Sequence, residues 1–265
     1  MKIAANKRLG QNFLANKGVI EKIIVAAALT PQDTILEIGP GLGAITLPLA
    51  AHAQRVIAVE KDKRLIEALQ TTLAEKHIAN VDVIDGDIMR LLEEDELSLP
   101  ENYSVVANIP YYLTSALIRT LLEREEKPQR ILLMIQKEVA QRITARDGKE
   151  SILSLAVKFY AEPKILFFVS RGSFSPAPKV DSAIIEIIPH TKPPSLAPDT
   201  FFTVMKAGFS APRKKLVGNL ATKLKISKEV LTEAFTALTI DQNTRPEQLT
   251  LAQWTALAEN LRTML

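Results

Sequence analysis

The chain contains no cysteine, which excludes a disulfide framework, thiolate catalysis and cysteine-ligated zinc, and fits a reducing compartment. Histidine is scarce as well. The three present, His52, His77 and His190, lie far apart, without the i, i+4 spacing that puts two ligands on one helix face, so no metal is expected. Long apolar runs are missing. The N-terminal stretch MKIAANKRLGQNFL carries charge but no apolar leader segment, and none of the 265 residues belong to a run long enough to span a bilayer. The expectation is a monomeric protein of the cytoplasm that does not enter a membrane. Charge of one sign is also limited: a net +3 is too small to mark a nucleic-acid binder unless the charges cluster.

What the chain does have is apolar content, 47% of its residues, enough to bury a sizeable core in one large domain or one large domain with a small one. Apolar residues recur with helical period from Val19 to Ala27, and Thr30-Pro31-Gln32-Asp33 breaks the segment. Short β-branched runs follow at Thr34–Ile38, Arg55–Glu60, Val81–Asp85, Ser104–Asn108 and Ile131–Ile135, most of them separated by stretches patterned as helices. That alternation predicts right-handed βαβ units and a parallel sheet covered on both faces. After Gly148 the rhythm changes. A helical Ile152–Tyr160 precedes two apolar runs, Ile165–Val169 and Ser182–Ile188, joined by the loop Arg171–Val180, which predicts an antiparallel pair finishing the sheet. The proline-rich segment 190–198 is expected to be a linker. It divides a catalytic domain, 1–189, from a small helical domain, 199–265, that ends in an amphipathic Leu251–Leu261.

Chemistry concentrates at the strand ends. The first strand runs into Gly39-Pro40-Gly41-Leu42-Gly43, where glycines permit a tight turn and let a ligand approach the backbone, so Gly39 and Gly41 are placed against a cofactor. Glu60 ends the next strand about twenty residues on, where a carboxylate can accept from both hydroxyls of a ribose. Gly39, Gly41 and Ala44 also satisfy a loose dinucleotide fingerprint, so a nicotinamide enzyme stays open at this point. The third strand ends in Asp85-Gly86-Asp87-Ile88. Asp87 is placed to accept from an adenine amino group and Ile88 to pack on the ring, although an Asp-Gly turn is commonly no more than a solvated turn.

Asn108-Ile109-Pro110-Tyr111 at the fourth strand end decides between these. The amine of adenine is a poor nucleophile because its lone pair is delocalised into the ring, and an enzyme must favour a pyramidal nitrogen whose lone pair faces a methyl donor. The Asn108 side-chain oxygen and the Pro110 carbonyl can each accept one N–H, while Tyr111 stacks on the base and fixes its plane. Such a site needs no catalytic histidine, cysteine or paired carboxylates.

With these segments the sequence resembles the KsgA-type ribosomal RNA small subunit adenine N6,N6-dimethyltransferase family along essentially its whole length. The resemblance is carried by Lys7-Arg8-Leu9-Gly10-Gln11-Asn12-Phe13-Leu14, Glu37 to Gly43, Glu60, Gly86-Asp87, Asn108 to Tyr111, the loop Phe174 to Ser182, and Phe209-Ser210 with Arg213-Lys214-Lys215. It implies a Rossmann-like class I methyltransferase, α/β, with a mainly parallel seven-stranded sheet and a small all-α C-terminal domain. It also implies S-adenosylmethionine held by Asn12, Leu14, Gly39, Glu60, Asp87 and Asn108, with Phe174 stacking on the target base opposite Tyr111. The implied reaction is N6,N6-dimethylation of two adjacent adenosines in a hairpin near the 3′ end of small-subunit (16S) ribosomal RNA, in an immature particle. A flipped base between two rings is what methylation inside folded RNA requires.

Charge placement points to RNA separately. From Phe201 to Lys225 there are six cations, Lys206, Arg213, Lys214, Lys215, Lys223 and Lys225, and no acidic residue. Lys7 and Arg8 join Arg213, Lys214 and Lys215 as expected RNA contacts. Two alternatives are carried: a ribosome-assembly factor that binds RNA and methylates only secondarily, and a DNA adenine methyltransferase with an equivalent Asn-x-Pro-Tyr motif.

Overall fold

The computed structural model describes residue 6, residues 10–192 and residues 194–265. The expected sheet is present. β2 (Thr34–Ile38), β3 (Arg55–Glu60) and β4 (Val81–Asp85) run parallel in that order towards one edge, and β5 (Tyr103–Asn108) and β6 (Arg130–Gln136) run parallel to β2 on its other side. β9 (Ser182–Pro189) pairs antiparallel with β6, and β7 (Ala161–Val169) lies beside β9, giving the order β4-β3-β2-β5-β6-β9-β7. All five residues of β2 are buried, as a strand covered on both faces requires, whereas β4 at the edge leaves Asp82 and Asp85 exposed.

The connections follow the sequence periodicity. α1 (Lys17–Ala27) starts where the Asn16 side chain accepts from the Val19 amide, and α3 (Lys63–Glu75) where Asp62 accepts from Arg64. These are N-caps that satisfy amides left open at a helix start. α2 (Thr46–Ala50), α4 (Ile88–Glu93) and α5 (Thr114–Glu123) link the next strands, and α6 (Lys137–Ile143) follows β6. Strand order reverses between β2 and β5: the chain builds β2, β3 and β4 outwards, then returns to the other side of β2. In open α/β sheets a ligand crevice forms at the carboxyl ends of the strands flanking such a reversal.

One element pair has no counterpart in the sequence expectations. β1 (Phe13–Leu14) and β8 (Phe174–Ser175) form a two-stranded antiparallel ribbon, Phe13 opposite Ser175 and Leu14 opposite Phe174. The Ala15 and Asn16 amides extend it by donating to the Ser173 carbonyl.

The chain divides into two compact units. One comprises the described residues up to Ala140 together with Glu162–Pro189; the other comprises Gln141–Ala161 and His190–Leu265. The break at Pro189/His190 is where the proline-rich segment begins, but residues 141–161 group with the C-terminal helices rather than with the sheet, unlike the single cut expected from sequence. The reason is aromatic packing on α7 (Ile152–Tyr160). The Phe159 ring stacks on Phe201 of α8 (Pro198–Gly208) with centroids 4.3 Å apart, and Phe202 meets Phe159 edge-on at 5.4 Å. α9 (Leu216–Leu224), α10 (Lys228–Ala237) and α11 (Leu251–Leu261) complete this second unit. Trp254 of α11 is fully buried and stacks on Phe209 at 5.6 Å.

Candidate active site

At the carboxyl ends of β2, β3 and β5 lies a cavity of about 870 Å³. Its walls come from the β2 turn (Gly39, Pro40, Gly41, Leu42), from Glu60 and Lys61 after β3, from Asn108 to Tyr111 after β5, and from Gly10 to Ala15 with Ser175 and Pro176 around the β1–β8 ribbon. Of the residues singled out in the sequence, Asn12, Leu14, Gly39, Gly41, Glu60, Asn108, Pro110 and Tyr111 therefore share one space.

Each wall is fixed by identifiable bonds. Gly41 sits at φ +59°, a left-handed backbone that an L side chain adopts at a cost, and an added Cβ would stand 3.4 Å from the Phe13 ring. The Gly41 amide donates to Glu60 Oε2 at 3.3 Å, while Glu60 Oε1 accepts from the Lys61 and Asp62 amides, each at 3.0 Å. The carboxylate is thus oriented by three backbone donors and keeps further lone pairs for a ligand. Across the cavity, Asn108 Nδ2 donates to the Asn12 carbonyl at 3.3 Å, which leaves Oδ1 as the group able to accept. The Pro110 carbonyl already accepts from the Leu113 amide at 3.0 Å; its second lone pair remains. The Tyr111 hydroxyl meets Ser182 Oγ at 2.8 Å, tying the ring to the start of β9. Burial raises the Tyr111 phenol above its usual value, so it is neutral across the ordinary pH range.

Three expected site residues stand elsewhere. Phe174 does not line the cavity. It is 6% exposed and packs in the apolar cluster with Leu14 and Val169. The ribbon register places Phe174 opposite Leu14, and Ser175 and Pro176 line the cavity. Asp87 and Ile88 do not line it either. Asp87 caps α4 by accepting from the Met89 amide at 3.0 Å and meets the cavity wall at Lys61, whose ammonium is 3.5 Å from its Oδ2; Ile88 is buried. Lys7 and Arg8 fall outside the described residues. Arg213, Lys214 and Lys215 are exposed on the second unit, Lys215 donating to Asn243 at 2.7 Å.

The structure also brings in residues that sequence reasoning passed over. Gln11 donates to Asp62 at 2.9 Å, joining the N-terminal segment to the start of α3. The Arg64 guanidinium, foremost, and then Gln11 hold the Asp62 carboxyl down at about 2. Lys61 donates to the Tyr112 hydroxyl at 3.0 Å, and that contact, with Asp87, holds its ammonium above the usual value. Most telling is Glu37 of β2, which is buried on the cavity wall. Its Oε2 has no hydrogen-bond partner among the described residues. Burial pushes this carboxyl up to about 8; the Thr46 hydroxyl offsets part of the rise and the Glu60 charge adds to it. A charged residue type inside the apolar run Thr34–Ile38 was the available signal. Among the described residues no group of three acidic, histidine or cysteine side chains could hold a metal, and no helix is long and apolar enough to cross a membrane.

Known proteins resemble this chain over nearly all of it. The family model described as ribosomal RNA adenine dimethylase matches residues 3–263. Ribosomal RNA small subunit methyltransferase A of Dehalococcoides mccartyi (strain CBDB1) is 43% identical over 257 residues, 96% of this chain and 88% of that protein. The protein of the same name from Alkaliphilus oremlandii (strain OhILAs) is 40% identical over 265 residues, 97% and 91% of the two chains. Among solved structures, a dimethyladenosine transferase from Plasmodium falciparum aligns with a TM-score of 0.82 at 28% identity over 95% of this chain and 98% of that one. The 23S rRNA methyltransferase ErmE aligns with a TM-score of 0.78 at 27% identity over 95% and 100%. The strand-end cavity and these matches lead to one conclusion: the chain belongs to the ribosomal RNA adenine dimethylase family, enzymes that use S-adenosylmethionine.

Proposed function

We propose that this chain N6,N6-dimethylates two adjacent adenosines in a hairpin near the 3′ end of small-subunit (16S) ribosomal RNA, acting as a monomer in the cytoplasm on an immature particle. The observation that carries the chemistry is the Asn108 amide, whose Nδ2 is committed to the Asn12 carbonyl and whose Oδ1 is left to accept.

The cavity residues fit S-adenosylmethionine. Its volume, about 870 Å³, is within the usual range of small-molecule sites. Glu60 offers an oriented carboxylate to ribose hydroxyls, and the unpartnered buried Oε2 of Glu37 belongs to a carboxyl that a cationic ligand would favour in its ionised form. Asn12, Leu14, Gly39 and Gly41 would complete the contacts, with Asp87 accepting from the adenine amino group. When bound, the cofactor supplies an electrophilic methyl carbon on its sulfonium. The protein's part is to prepare the nucleophile. For the first methyl, Asn108 Oδ1 and the free lone pair of the Pro110 carbonyl each accept one N–H of the target amine, which turns its lone pair out of the ring plane; the monomethylated amine keeps a single N–H for one of the two acceptors. Tyr111, pinned through Ser182, holds that plane against its ring. Tyr111 is the ring that lines the cavity; Phe174, paired with Leu14 in the ribbon, would meet the opposite face of the base by turning out of its apolar cluster.

Asn108→Ala tests this directly. Methyl transfer should fall by about a hundredfold or more, on the scale of losing one oriented polar group at a reacting centre, while affinity for S-adenosylhomocysteine falls much less. Near-normal turnover would contradict the assignment.

A further inference from the structure

Tyr112, the residue after the base-stacking tyrosine, takes no part in the chemistry above. It is 59% exposed, whereas Tyr103, Phe201, Phe235 and Trp254 are fully buried. An exposed tyrosine usually moves freely, but this one is held. Lys61 Nζ donates to its hydroxyl at 3.0 Å and stands 5.7 Å from its ring centroid, and the same ammonium lies 3.5 Å from Asp87 Oδ2. The backbone is held as well. Tyr112 is the middle residue of the 3-10 turn Tyr111–Leu113, closed by the Leu113 amide on the Pro110 carbonyl and by the Thr114 hydroxyl on the Tyr111 carbonyl. Lys61 itself lines the cavity.

An ordered aromatic face open to solvent, one residue from the cavity wall and with a cation at its hydroxyl edge, suits a nucleobase. Bases stack on such rings whatever their identity, and a ring already fixed loses little freedom on binding. We propose that Tyr112, held in place by Lys61, is a second base-binding platform that stacks the nucleotide adjacent to the target adenosine. The inference rests on the function proposed above. It explains how one cavity serves two neighbouring adenosines: while one occupies the cavity, its neighbour rests on Tyr112.

The test is a binding cycle with the S-adenosylhomocysteine-loaded enzyme and two hairpin RNAs. One carries two adjacent adenosines in its loop; the other has an abasic nucleotide beside the target. Tyr112→Ala should weaken binding of the intact RNA about fivefold or more, and Tyr112→Phe, which keeps the ring but removes the hydroxyl that Lys61 holds, should fall between that variant and the wild type. The abasic substitution should cost the wild type a similar factor and cost Tyr112→Ala almost nothing further. If the two losses instead multiply, as they do for independent sites, the platform is overturned. Methyl transfer by the wild type to immature, unmethylated small ribosomal subunits, measured alongside, reports on the proposed function by itself: transfer with multiplying losses removes only the platform, and no transfer removes both.

Discussion

Glu37 is the sole charged residue of β2 and the one cavity side chain whose protonation the fold changes strongly. Its carboxyl rises from 4.5 to about 8 through burial. Between those values the folded protein holds a proton that the unfolded chain has released, so the free energy of unfolding falls as pH rises from about 4.5 to about 8 and levels off above. Glu37→Gln lacks this proton. Its stability relative to wild type should therefore grow across the same window, by an amount on the order of a few kcal/mol, measured by denaturant unfolding at several pH values; a difference that does not change with pH would contradict the account. Residues such as Asn108 and Glu60 were legible because each ends a β-branched run beside a motif. Gln11 and Ser175 were not, because their places depend on partners far along the chain: Gln11 on Asp62, and Ser175 on Phe13.

Among elements, strands with strong local patterning were readable to within a residue or two: β2, β3 and β4 have the expected bounds, and β5 and β6 gain a residue at one or both ends. β1 and β8 were invisible, since two residues carry no periodicity and the ribbon exists only through pairing across the chain. α7 was read correctly as a helix, but its grouping with the C-terminal helices depends on Phe159 meeting Phe201, a meeting no local pattern announces. The close approach of α8 and α11 yields an element-scale prediction. A Cβ at Gly208 would lie 2.3 Å from the Trp254 ring and 2.7 Å from Leu216, and the Gly208 carbonyl accepts from buried Asn219 at 2.6 Å. Gly208→Ala must therefore push apart a filled core, costing about 1–3 kcal/mol. Thermal unfolding should show a clear drop in midpoint; an unchanged midpoint would mean that these helices separate freely.

At the scale of the whole molecule, a net charge of +3 conceals a local excess. The stretch from Phe201 to Lys225 has six cations and no acidic residue, and Arg213, Lys214 and Lys215 are all exposed. If these residues meet phosphates, replacing the three with alanine should weaken RNA binding. The slope of log affinity against log salt should flatten by about 0.7–0.9 for each phosphate that the variant no longer neutralises; an unchanged slope would make them an ordinary solvated surface. The central claim is the transfer itself. Purified protein incubated with labelled S-adenosylmethionine and immature, unmethylated small ribosomal subunits, followed by nucleoside analysis of the RNA, should yield label in N6,N6-dimethyladenosine. Label in a different nucleoside, or none at all while S-adenosylhomocysteine still binds, would contradict it.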